Sequence, residues 1–279
     1  MKKLYARLIV FFIALPAIAV IIISLPHLKH LVLSAIVVVV SALGTHEFIG
    51  LLRKRGIHTS RLVIPSTTIV AAATYFYVLG YLVETAYLSV LVVPFVLVVS
   101  TATFKRYHGD FSNTLAEMSG TIAAIIYPTY FILFLILIAG LPYPTLSFVC
   151  FLSMVFVNDT SAYVFGSLFG KSSRGVSEIS PNKSIPGFVA GPIFSMIVAL
   201  LFYRFSPELF DSKLIVAIVL GVAVGAATVI GDLFESALKR SAEVKDSGIL
   251  IPGRGGILDS IDSVAFAAPI FYLLISFVR

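Results

Sequence analysis

The chain has 279 residues, 59% of them hydrophobic and 12% charged, and its mean hydropathy is +1.04. Soluble domains carry about 25% charged residues, so a soluble fold is excluded and the composition is that of an all-α polytopic integral membrane protein. The net charge of +6 does not signal nucleic acid binding until it is placed relative to the membrane, and the single cysteine, Cys150, excludes an internal disulfide.

Apolar runs and their breaks predict about nine spans. The first, 4–25, follows Met1-Lys2-Lys3 and contains Pro16. A signal peptide competes with this reading, but the run is longer than a usual h-region and another follows at once, so an uncleaved helix is expected. The second span, 30–52, carries His46 and Glu47 near its end. The third covers 62–82 and the fourth 86–104. A polar connection, 105–118, is read as a short amphipathic helix. The fifth span, 119–140, closes at Leu141-Pro142-Tyr143-Pro144, and the sixth, 145–169, contains Asn158-Asp159. A loop of small and basic residues, 170–187, precedes the seventh span, 188–205. The eighth covers 213–237 and the ninth 259–278. Each is long enough to cross ~30 Å of hydrocarbon at 1.5 Å per residue.

With the N-terminus in the cytoplasm, this arrangement leaves only Lys29, Arg204, Lys213 and Arg279, of twenty Lys and Arg, on the outer side. Such an asymmetry supports both count and orientation. It also puts the loops 170–187 and 238–258 on the cytoplasmic side. The whole chain reads as one membrane domain, with N-terminal helices in 1–118 and catalytic helices in 119–279.

The charge that remains is concentrated late in the chain. Asn158-Asp159 interrupts an apolar run, where an unpaired carboxylate costs several kcal/mol and so faces a polar cavity or a cation. Ser180-Pro181-Asn182-Lys183, with Gly187 and Gly191 after it and Lys171 and Arg174 before it, forms a polar turn able to hold a phosphate. The densest stretch is 231–262, GDLFESALKRSAEVKDSGILIPGRGGILDSID. Asp232, Glu235 and Lys239 fall at i, i+3 and i+7 on one helix face, and Asp259 and Asp262 at i, i+3 on the next helix. Between them Pro252-Gly253-Arg254-Gly255-Gly256 lets backbone N–H groups approach an anion. Carboxylates, cations and a glycine-rich turn suit magnesium and phosphate. Glu47 reads equally as a partner of Arg53 or Arg55, and His46 as a packing residue rather than a metal ligand. No G-x-S-x-G, Walker A or HExxH motif occurs. Transfer to a substrate phosphate needs no enzyme nucleophile, because positioning and charge neutralisation carry the catalysis.

The run Ser236-x-x-Lys239-Arg240-x4-Lys245-Asp246-x-Gly248-x3-Pro252-Gly253-Arg254-Gly255-Gly256-x-x-Asp259-x-x-Asp262 resembles the defining motif of phosphatidate cytidylyltransferases, or CDP-diacylglycerol synthases. Two further blocks, starting at Asn158-Asp159 and Ile179-Ser180-Pro181, are similar to others of that family, so the resemblance covers 156–262. The family usually has His where Arg254 stands and Arg where Ser260 stands. The resemblance implies that CTP and phosphatidate give CDP-diacylglycerol and pyrophosphate with Mg²⁺, alone or with a second cation. On that reading Asp232, Asp246, Asp259 and Asp262 hold the metal. Lys183, Lys239, Arg240, Lys245 and Arg254 bind phosphates, helped by Ser180, Ser236, Gly255 and Gly256. Asn158 and Asp159 orient the nucleotide or complete the metal shell, and Lys183, Lys239, Asp159 and Asp246 form the catalytic set. The pocket opens to the cytoplasm of a bacterial inner membrane and sideways to the bilayer. No nucleic acid partner is implied, and a homodimer is compatible. Two alternatives stand beside this one: a CTP-dependent kinase of dolichol or another polyprenol, which needs a general base for its alcohol, and a cation-coupled transporter, which predicts midplane charges and repeated halves.

Overall fold

The structure, a computed structural model, describes residues 13, 14, 16–104 and 111–278. Within them every long element is a helix, and the chain is a polytopic α-helical membrane protein. Helical turns at 16–24 lead into α1 (His27–Lys54), followed by α2 (Val63–Val78), α3 (Glu84–Thr103), α4 (Thr114–Ile125), a π-helical turn (Ile126–Tyr130) and α5 (Phe131–Ile138). Then come α6 (Pro144–Phe169), α7 (Ile185–Phe205), α8 (Leu214–Ser241) and α9 (Leu258–Phe277). Seven helical stretches among the described residues are long and apolar enough to cross a membrane: α1, residues 84–101 of α3, the continuous run Thr114–Ile138, α6, α7, α8 and α9. The expected third span is the shorter α2, of 16 residues. Residues 4–12 and 15 of the expected first span, and with them the choice between signal peptide and anchor, lie outside the described residues, as do 105–110. Residues 114–118, read from sequence as part of the polar connection, are instead the first turn of α4.

The chain divides into two compact units. One comprises Met1–Gly140 and Ser241–Ser260, the other Leu141–Arg240 and Ile261–Arg279. In the first, α1 packs on α2, α4, α5 and the π turn, and α2 on α3. Its interior includes a hydroxyl cluster: Ser41 Oγ donates to Thr129 Oγ1 at 3.1 Å, and Thr45 Oγ1 lies 3.0 Å from the same atom. All three are fully buried. Thr129 follows Pro128, whose missing N–H breaks the helical ladder, and the π turn absorbs that break. Tyr130 in the same turn donates to the Leu91 carbonyl at 2.6 Å, one turn before Pro94 of α3.

In the second unit α6 starts at Pro144, where a missing N–H costs nothing. It packs along α7, and glycines set the spacing. A Cβ on Gly187 would lie 2.8 Å from the Ala162 carbonyl oxygen, and one on Gly225 of α8 would lie 2.5 Å from Pro192 Cα of α7. Backbones this close are the packing mode that small residues allow in lipid, where apolar burial gives no net drive. Aromatic pairs complete the packing, with Phe151 and Phe271 centroids 5.3 Å apart and Phe234 and Phe266 5.0 Å apart.

Candidate active site

The second unit holds a cavity of about 580 Å³ near the C-terminal ends of α6 and α8 and the N-terminal end of α7. Its walls include Asn158, Asp159, Tyr163 and Gly166 of α6, Arg174, Asn182 and Lys183 of the loop, Gly187 of α7, and Asp232 of α8. The loop is shaped by an isolated antiparallel bridge between Arg174 and Ser184 and by the Gly175 N–H donating to the Pro181 carbonyl at 2.9 Å. These contacts set Lys183 at the mouth of α7. Its ammonium makes a 2.8 Å ion pair with Asp232 Oδ2, the two side chains being 22% and 40% exposed. It also lies 5.7 Å from the Phe188 ring centre, a cation–π contact. Lysine and carboxylate are thus exposed enough to exchange each other for a phosphate or a metal. Ser236 Oγ donates to the other Asp232 oxygen at 3.4 Å.

Asn158 forms the floor and is fully buried. Its amide nitrogen donates to the Gly225 carbonyl at 3.0 Å and to Ser195 Oγ at 3.5 Å, and Ser195 in turn donates to the Met154 carbonyl. Its Oδ1 has no partner among the described residues. Gly191 and Gly225 make room for this amide, since a Cβ at either would lie within 3.0 Å of it. Buried amide acceptors are nearly always satisfied, so an acceptor left open in a cavity wall is a feature of a ligand site. Asp159 beside it is exposed.

Lys239 and Arg240, one turn beyond Ser236, do not line the cavity. Lys239 pairs with the fully buried Glu235 one turn back, and Arg240 is exposed. Asp262 is buried, and its Oδ1 accepts from the Ser263 N–H at 2.6 Å. Its backbone is the surface against which Gly231 packs, a Cβ there lying 2.6 Å from the Asp262 carbonyl oxygen. Ser180 closes a turn, donating its N–H to the Ser177 carbonyl and accepting from the Lys183 N–H.

The remaining candidates, Lys245, Asp246, Arg254, Gly255, Gly256 and Asp259, belong to the first unit. Ile251 and Gly255 form a tight antiparallel bridge with N···O distances of 2.8 and 3.0 Å. Gly253 at φ 78° and Gly255 at φ 120° take backbone conformations that side chains disfavour. Asp259 Oδ2 accepts three hydrogen bonds of 2.8 Å, from Ser247 N–H, Ser247 Oγ and Gly256 N–H. That oxygen is committed to holding the turn. Asp246 lies beside Gly255, whose added Cβ would come 3.0 Å from Asp246 Cβ, and Lys245 and Arg254 are exposed.

Sequence reasoning missed two participants. Arg174 was visible only as another loop cation, yet it lines the cavity. Glu47 does not pair with Arg53 or Arg55. Arg55 instead bonds Glu243 at 2.9 Å. The Glu47 carboxylate accepts from the Ile257 N–H at 3.0 Å, the Leu258 N–H at 2.9 Å and Ser247 Oγ at 3.2 Å. No local sequence signal links residues 210 positions apart.

A helical membrane bundle whose second unit sets a lysine–aspartate pair and an open buried amide in the wall of a cavity defines a class of membrane site suited to phosphate groups. The sequence model of the Cytidylyltransferase family matches residues 5–278, and the chain belongs to that family. Curated relatives include the phosphatidate cytidylyltransferase of Staphylococcus saprophyticus, 42% identical over 122 residues that cover 44% of this chain and 46% of the relative. The phosphatidate cytidylyltransferase of Haemophilus influenzae is 42% identical over 127 residues, 45% of this chain and 44% of the relative. That of Chlamydia muridarum is 40% identical over 121 residues, 42% and 39%. The chain spans less than half the length of each of these relatives.

Proposed function

We propose that the chain catalyses the attack of a phosphatidate oxygen on the α-phosphorus of CTP, forming CDP-diacylglycerol as the bond from that phosphorus to the bridging oxygen breaks and pyrophosphate leaves. The observation that supports this most is the Lys183–Asp232 pair at the wall of the cavity. An acid and a base already paired and part exposed can divide between two charged guests, the base taking a phosphate and the acid a cation. The relatives' shared name gives the reaction class. A phosphomonoester is already an anion at neutral pH, so attack needs no general base, only cations to offset repulsion as two anions meet. Lys183 and Arg174 supply them in the cavity. Lys239, Arg240, Lys245 and Arg254 are proposed to serve substrate phosphates as well, and the Asn158 amide to orient the nucleotide.

Magnesium suits the donor chemistry of the acids. Asp232 presents a hard oxygen at the cavity wall, 40% exposed. No three His, Cys, Asp or Glu side chains gather as a metal cage among the described residues, so an ion held by Asp232 would take its other ligands from phosphates and water, as Mg²⁺ commonly does. When bound, the metal would neutralise phosphate charge. The basic asymmetry of the loops supports a bacterial cytoplasmic membrane with the site facing the cytoplasm.

The test uses purified protein in detergent with phosphatidate, Mg²⁺ and CTP labelled either in the base or at the γ-phosphate. Base label in the lipid product is the expected result. Label from the γ-phosphate in lipid would mean a lipid kinase and would overturn the proposal.

A further inference from the structure

The motif turn 247–258 is held by a residue outside every motif. Glu47 stands on α1, is 6% exposed, and directs both carboxylate oxygens at the start of α9. The first N–H groups of a helix have no partners within it, and a carboxylate there satisfies them and complements the helix dipole. Here that carboxylate comes from about 210 residues away rather than from an adjacent cap. Ser247 joins the two ends: its Oγ lies 3.2 Å from Glu47 and 2.8 Å from Asp259. Two glycines of the turn are explained by the same group. A Cβ on Gly248 would lie 2.7 Å from Glu47 Cδ, and one on Gly256 would lie 2.6 Å from it. Both positions are glycine because a buried carboxylate occupies the space a side chain would need.

We infer that Glu47 is a positioning residue for the reaction: it fixes the turn and the first residues of α9, and through Ser247 sets the carboxylate of Asp259. This rests on the reading of the chain as a phosphatidate cytidylyltransferase. Glu47 is not among the residues that line the cavity, and its effect is expected on turnover rather than on affinity for the nucleotide.

Glu47→Gln keeps the shape but turns an amide NH₂ toward backbone N–H donors. The expected result is a kcat lower by about tenfold to a hundredfold, the range for losing a charge-assisted hydrogen bond, with KM for CTP changed less than about threefold. Glu47→Asp, which keeps the charge, should recover part of the loss. Hydrogen exchange of the peptide spanning 245–260 should be faster in Glu47→Gln. Gly256→Ala, which pushes a methyl at the same carboxylate from the other side, should lower kcat in the same way, and the double variant should fall no further than the worse single one. Gly256→Ala also decides the matter if Glu47→Gln does not fold. Wild-type turnover and exchange in Glu47→Gln, or wild-type turnover in Gly256→Ala, overturns the inference. Multiplying losses in the double variant also overturn it. If the wild-type protein itself makes no CDP-diacylglycerol, the functional reading falls and this inference falls with it.

Discussion

At the scale of single residues, partial exposure separates the groups free to act from those that only hold. Asp232 is 40% exposed and paired with Lys183, so Asp232→Asn should keep the fold while activity drops by about a hundredfold or more, the order seen on removing one charge-stabilising group. Labelled-lipid assays beside a thermal unfolding curve check both halves. Glu235 presents the opposite case. It is fully buried and tied to Lys239, and removing one member of a buried pair costs ~3–5 kcal/mol. Glu235→Ala should therefore lower the unfolding temperature strongly. Glu243→Ala breaks an ion pair whose side chains are 50% and 80% exposed, worth at most ~1 kcal/mol, and should leave unfolding nearly unchanged. Equal effects from the two variants would refute the ranking.

At the scale of elements, glycines decide how closely the helices of the second unit approach. Gly225→Ala forces a methyl to within 2.5 Å of Pro192 Cα and 2.9 Å of the Asn158 amide nitrogen. Overpacking of this kind costs ~1–3 kcal/mol, and it also disturbs the amide that floors the cavity. Both stability and activity should fall. Gly50 of α1 has no atom within 4 Å of its would-be Cβ, so Gly50→Ala should be neutral or stabilise by up to ~1 kcal/mol through helix propensity. Thermal unfolding of the two variants side by side tests whether close approach, rather than glycine as such, is what matters.

At the scale of the molecule, topology carries the largest claim. Lys29 and Lys245 are both exposed, and the orientation expected from the charge asymmetry would put them on opposite sides of the membrane. In intact cells, Lys29→Cys should react with an impermeant maleimide added outside, and Lys245→Cys only after the cytoplasmic face is opened. The native Cys150 is fully buried and gives little background. External labelling of Lys245→Cys would reverse the assignment of both polar loops.

The sequence by itself determined the class of protein, the existence and type of the long helices, and the stretches that carry chemistry. Hydropathy, proline breaks and the charge run at 231–262 are local properties, and local properties survive reading one residue after another. The π turn at 126–130, the merging of 114–118 into α4, and the division of the motif between two compact units were not legible, because each depends on what packs alongside. The site shows the same split. Asn158 could be named from its place in an apolar run, Lys183 from the polar turn and Asp232 from the charge run, but the pairing of the last two, and the hold of Asn158 on the Gly225 carbonyl, required helices to be brought together. Glu47 is the clearest case. In sequence it is an acid close to Arg53 and Arg55, whereas in the fold Arg55 pairs with Glu243 and the Glu47 carboxylate meets the N–H groups at the start of α9, because helix ends demand partners and tertiary structure decides which partner arrives.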